Sequence, residues 1–153
     1  MNVAGNGQGA ATISGGEVKL ANLYVGRENG SYGELIVTGK GVLNVSSNAR
    51  ICYNAGSEGK VYIKDNGQMN VTKELTVGNS DVGYVEVSGG QLNAALINIK
   101  DNGSSMKMTG GTVTTAKIVT CNKLTWTGGE LDVHMVIFLG ISCYIRKHKH
   151  QEQ

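Results

Sequence analysis

The chain has 153 residues, 40% of them hydrophobic, with 23 glycines, no proline and a formal net charge of +2. That length suits one domain, while so small a charge, with lysines scattered along the chain, excludes the basic footprint of a nucleic-acid binder. The three cysteines, Cys52, Cys121 and Cys143, show neither CxxC nor Cys/His spacing, which speaks against a disulfide framework and against zinc.

Residues 1–11 are rich in Gly, Asn and Ala and show no periodicity, so they read as an irregular lead-in or a partial coil. They carry neither the basic start nor the apolar core of a signal peptide. From Thr12 a phrase begins to return. Ile13-Ser-Gly-Gly-Glu-Val-Lys-Leu20 comes back as Val37 to Val45, Ile63 to Val71, Val87 to Ala94, Met108 to Thr115 and Trp126 to Val133. The last glycine of each copy is Gly16, Gly41, Gly67, Gly90, Gly111 and Gly129, at spacings of 25, 26, 23, 21 and 18 residues. Repeats of that length mark a solenoid.

Each repeat divides into three short strands. In the first, the residue two places after the last glycine is apolar in every copy (Val18, Leu43, Met69, Leu92, Val113, Leu131). The next is polar in every copy (Lys19, Asn44, Asn70, Asn93, Thr114, Asp132). Such alternation turns one row inward and its neighbour outward. The second strand reads as Leu23-Tyr-Val25, Ile51-Cys-Tyr53, Leu75-Thr-Val77 and Ile97-Asn-Ile99, with a less regular run from Ile118 to Cys121. The third is the clearest. Leu35/Val37, Val61/Ile63, Val85/Val87, Met106/Met108 and Leu124/Trp126 face inward, and Ile36, Tyr62, Glu86, Lys107 and Thr125 face outward. Glycine-rich corners at Asn29-Gly30, Gly33, Gly56, Gly59, Gly78-Asn79, Gly83 and Asn102-Gly103 separate the second strand from the third.

The expectation is an all-β fold: a single-stranded, right-handed parallel β-helix of about five coils over residues 12–133, with three short strands per coil. Coils would stack ~4.8 Å apart, and inward rows would form one apolar core. An antiparallel meander or sandwich is the structural rival. After Val133 the repeat stops, leaving residues 134–153 as a cap or a truncated tail. Their apolar run, Met135 to Ile145, is 11 residues long, well short of the ~20 that a membrane span needs.

The phrases Ile13-Ser-Gly-Gly16, Val77-Gly-Asn-Ser80, Val87-Ser-Gly-Gly-Gln-Leu-Asn93 and Thr109-Gly-Gly-Thr-Val113 resemble repeats of bacterial autotransporter-type passenger domains. The likeness spans residues 12–133. It implies a secreted or surface-displayed structural stalk, often an adhesin, lying outside the cell or on the bacterial surface as part of a longer exported chain. A host-surface or carbohydrate ligand and further copies of the repeat are the partners it implies. The chain departs from the family in lacking a signal peptide and a C-terminal membrane barrel.

Catalysis is the first alternative, because β-helices also carry polysaccharide lyases and hydrolases whose chemistry needs clustered carboxylates. Here the acids are dispersed. Glu34 aligns with Lys60 and Glu86 with Lys107, as charge pairs one rung apart. Asp65-Asn-Gly67, Asp101-Asn-Gly103 and Asn79-Ser-Asp81 match turn chemistry better than a calcium loop. Asn44, Asn70 and Asn93 fall in adjacent coils as a polar ladder, with a sugar-binding stripe as the functional alternative. His134, His148 and His150 lack further ligands and read as solvated. Outward Tyr24 and Tyr62 sit on different strands and form no aromatic row; Trp126 reads as core. No cofactor, metal or catalytic residue is expected, and the leading function is a non-catalytic structural or adhesive rod. A cytoplasmic β-helical filament former is the other alternative.

Overall fold

The computed structural model describes residues 1–100, 103–120 and 123–138. Its first strands are β1 (Asn2–Val3), β2 (Gln8–Ile13), β3 (Glu17–Leu20) and β4 (Leu23–Val25). The next coil contains β5 (Tyr32–Val37), β6 (Val42–Val45) and β7 (Ala49–Ile51). Then follow β8 (Glu58–Ile63), β9 (Gln68–Val77), β10 (Gly83–Val87) and β11 (Gln91–Ile99). The last are β12 (Ser105–Met108), β13 (Thr112–Thr120), β14 (Leu124–Trp126) and β15 (Glu130–Phe138).

Every pairing among the described residues is parallel, and the strands inside the stack lie between their counterparts from the coils before and after. The protein is therefore an all-β parallel solenoid of about five turns, which removes the antiparallel alternative. One sheet stacks the third strands in the order β14-β12-β10-β8-β5-β2, and the other holds the first and second strands. The three-strand pattern is explicit up to β7. From Gln68 onward the first two strands run on as one bent strand, with a register shift between Ala94 and Leu96.

The alternating pattern places its apolar rows in one core. Leu35, Val61 and Val85 stand in register, as do Val37, Ile63 and Val87, and all six are fully buried. Leu43, Met69 and Leu92 form the facing row from the other sheet. Burying each such side chain is worth about 1.5–3 kcal/mol. A single coil has no second layer to bury against, so that gain exists only in the stack.

Both ends of the solenoid reach further than the glycine phrase. β1 pairs with β4, and β2 with β5, so the expected lead-in of residues 1–11 supplies strand on both faces. The alternation is hidden there because the strand opens Gln8-Gly-Ala-Ala, whose small residues carry no hydrophobic signal. At the other end β15 continues past Val133, and Met135–Phe138 pair with Lys117–Thr120 as a second strand. The expected tail therefore begins inside a strand; its residues from 139 on, with Cys143, His148 and His150, lie outside the described residues.

The second strand of the second coil also differs from the sequence alignment. Leu23, Tyr24 and Val25 pair with Ala49, Arg50 and Ile51, not with Ile51-Cys-Tyr53. Cys52 is no strand residue but turns the corner with φ 64°. Its backbone follows a column of left-handed residues, Ala4, Gly26, Cys52 and Gly78, stacked one per coil. Glycine enters that conformation without strain, whereas Ala4 and Cys52 do so only under the hold of their neighbours. Among the described residues no helix is long and apolar enough to cross a membrane.

Candidate functional site

The glycine phrase makes two kinds of corner. Gly16, Gly90, Gly111 and Gly129 are left-handed at φ 69–83°. Gly41 and Gly67 are not; the left-handed residue of those copies lies two places earlier, at Gly39 and Asp65. Their turns carry one extra residue, Lys40 or Asn66, so the twist shifts position. Gly41 and Gly67 are needed for closeness instead: a Cβ there would sit 2.2 Å from the Ile13 carbonyl oxygen or 2.4 Å from that of Val37.

On the outer face, Asn44, Asn70 and Asn93 fall in register and bond up the stack. Asn93 Nδ2 donates to Asn70 Oδ1 at 2.8 Å, Asn70 Nδ2 to Asn44 Oδ1 at 2.7 Å, and Asn44 Nδ2 to Glu17 Oε1 at 2.6 Å. Gln68 Nε2 also donates to Asn70 Oδ1, at 3.1 Å. An open groove lined by Lys19, Leu20, Asn44, Val45, Ser46, Asn70 and Thr72 runs alongside. The amide of Asn70 is committed to neighbouring side chains, so it acts as a strut of the stack before it can meet a ligand.

The carboxylates are spread over the surface. Lys60 is the register partner of Glu34, but its ammonium lies 3.0 Å from Glu58 on its own strand. The hydrogen bond to Glu58 raises the Lys60 pKa. Glu86 aligns with Lys107 and accepts from the Tyr84 hydroxyl at 2.6 Å. Burial, reinforced by the Glu86 carboxylate, holds that phenol well above its usual range, and burial likewise raises Tyr62. Asp65 accepts a hydrogen bond from the Thr38 hydroxyl, while Asp81 accepts from the backbone N–H of Gly56 at 2.8 Å and of Val82 at 2.9 Å. These acids brace corners. Among the described residues no three His, Cys, Asp or Glu side chains converge on a point that could hold a metal; Asp101 lies outside the described residues.

Cys52 is fully buried, its sulfur 3.1 Å from Ser57 Oγ, and burial pushes the thiol pKa up. A buried thiol of that kind is chemically quiet. Cys121 lies outside the described residues. His134 is exposed on β15. Trp126 packs against the core, half-buried, with its indole N–H donating to the Gly129 carbonyl at 3.3 Å.

The corrected register brings together one cluster that the alignment had kept apart. Tyr24 and Arg50 are rung partners on the outer face of β4 and β7. Tyr53, just past the corner, sets its ring 5.0 Å from that of Tyr24 at an interplanar angle of 70°. The Arg50 guanidinium carbon lies 5.5 Å from the Tyr53 ring centre and 5.9 Å from that of Tyr24, and Arg50 Nη1 donates to the Tyr24 hydroxyl at 3.5 Å. The Arg27 guanidinium carbon lies 5.1 Å from the Tyr24 ring centre, with Arg27 Nε 3.3 Å from Glu28 Oε1. On the opposite sheet Tyr62 and Tyr84 meet edge-on at 6.0 Å, with Lys60 5.3 Å over the Tyr32 ring. Matching Tyr24 with Cys52 hid the first cluster; counting back from the left-handed Gly26, Cys52 and Gly78 column would have aligned it.

Compared with protein-family models, with curated proteins and with solved structures, the chain matches none of them.

Proposed function

We propose that the chain is a non-catalytic structural and adhesive rod of a bacterial surface-exposed or secreted protein, of the autotransporter-passenger type. The observation that carries this reading is the unbroken vertical continuity of the solenoid. Inward rows and corner hydrogen bonds link each coil to the next, and the Asn44–Asn70–Asn93 ladder ties three adjacent coils together. A stack tied in that way resists bending and shear along its axis, and its outer rows form a long display surface. The Gly-Gly phrases supply the family resemblance, an argument by analogy of sequence pattern rather than by site chemistry.

Beads coated with the purified chain test the adhesive role. They should be retained under flow on host-cell or glycan-coated surfaces more than beads coated with an inert protein, and heat-unfolded chain should lose the effect. Equal retention would overturn the reading. So would release of reducing ends from pectin or a similar polymer, if one carboxylate substitution abolished it. Regular filaments of purified chain under the electron microscope would favour an assembling filament protein instead.

A further inference from the structure

We infer that the Tyr24–Arg50–Tyr53 cluster is a binding site for an acidic sugar, one carboxylate-bearing ring of a uronic-acid polysaccharide. The inference rests on the adhesive reading and names its ligand. Both described arginines of the chain, Arg27 and Arg50, gather at these two rings. They differ in how they are used. Arg27 is paired with Glu28, which also accepts from Asn54 Nδ2 at 2.9 Å. Arg50 forms no ion pair among the described residues, and its one hydrogen bond is the long contact to Tyr24 Oη. Its fork of N–H donors therefore stays available over an aromatic surface that holds it in place.

The chemistry selects the ligand. A planar guanidinium matches a carboxylate with two parallel hydrogen bonds, a geometry a lysine cannot offer. The adjoining Tyr53 ring, half-buried and outward, gives the C–H face of a sugar ring an apolar surface. A single-stranded nucleic acid would need a basic track for successive phosphates. Here the positive charge ends after Arg50: the next rung is Thr76, hydrogen-bonded to Glu74 at 3.0 Å. Glu28 on one side and Glu74 on the other bound the site to roughly one anionic ring.

Isothermal titration with oligogalacturonate, a neutral galactose oligomer of equal length and single-stranded oligothymidylate tests the proposal. Oligogalacturonate should bind and the neutral oligomer should not. Arg50→Gln should weaken binding about tenfold or more, the loss expected of a charged hydrogen-bonded partner, with the melting temperature unchanged. Arg50→Lys should fall between the two, and Tyr53→Ala should weaken binding at constant charge. No binding of oligogalacturonate, equal binding of the neutral oligomer, or equal affinity in Arg50→Gln overturns the site. Tighter binding of oligothymidylate overturns it in favour of a nucleic acid. Bead retention that persists in Arg50→Gln would leave the adhesive rod standing while removing this site from it.

Discussion

Gly59 tests whether close approach of backbones, rather than turn conformation, decides where this fold needs glycine. It is the middle member of a column, Gly33–Gly59–Gly83, at the head of the third strands, and Gly9 precedes Gly33 in register. A Cβ on Gly59 would lie 2.3 Å from the Val25 carbonyl oxygen, 2.8 Å from the Cys52 nitrogen and 3.0 Å from Ile51 Cγ2. Two of those atoms are backbone and cannot rotate aside, so Gly59→Ala must push the two sheets apart at the corner. Overpacking of this kind costs about 1–3 kcal/mol, occasionally more, against a gain of about 0.4–1 kcal/mol from a stiffer unfolded chain. The contact geometry points to the upper end, a net loss of about 2 kcal/mol. For a chain of this size that lowers Tm by about 4–8 °C. Two controls separate the causes. Gly15 has open space and no left-handed backbone, so Gly15→Ala should be neutral or slightly stabilising. Gly30 has open space but φ 75°, so Gly30→Ala should show the left-handed penalty of about 1–2 kcal/mol less the same entropic gain. Urea unfolding followed by circular dichroism, with a constant slope, would rank the three. A midpoint for Gly59→Ala equal to that of Gly15→Ala would refute the reasoning.

Val61→Asp should prevent folding at room temperature, because a carboxylate at a fully buried position between two coils would have no partner; a retained cooperative thermal transition near that of the parent would show the inward register to be wrong. Asn70→Ala should destabilise the chain by about 1–2 kcal/mol, more than Asn93→Ala, since Asn70 joins three side-chain hydrogen bonds and Asn93 one; equal denaturant midpoints for the two variants would deny the ladder its role. The raised Tyr84 pKa gives a stabilisation that is complete below the unfolded value of 10.0 and is lost as pH climbs toward the folded value. Tyrosinate absorbance of the folded chain should therefore contain a fraction that appears only well above pH 10.0. Tyr84→Phe should reduce that fraction, leaving the part due to Tyr62, which burial also raises; an unchanged titration curve would contradict the burial and the Glu86 contact.

The sequence by itself determined the architecture, because a stacked fold copies its local rules into every coil. Alternation of period two fixed the inward rows from Leu35 to Val87 on the third strand, and recurrence of the glycine phrase made their parallel stacking the economical arrangement. Asn44, Asn70 and Asn93 were legible as a ladder for the same reason: equal offsets from a repeated turn become vertical neighbours. What tertiary structure alone decided lies at the corners and ends. Cys52 reads as an apolar strand residue, yet it occupies the left-handed position that Gly26 and Gly78 fill in the adjacent coils. No residue-type signal announces a left-handed cysteine, so the alignment slipped there and Tyr24, Arg50 and Tyr53 were kept apart. The first strands, Asn2–Val3 and Gln8–Ile13, carry too few large side chains for a pattern and are ordered by pairing with the coil above. The extension of β15 to Phe138 and the choice of Glu58 over Glu34 by Lys60 are likewise set by neighbours in space. Periodicity in sequence specifies which face a residue takes; where the chain turns, which coil it meets depends on backbone angles that only the assembled stack imposes.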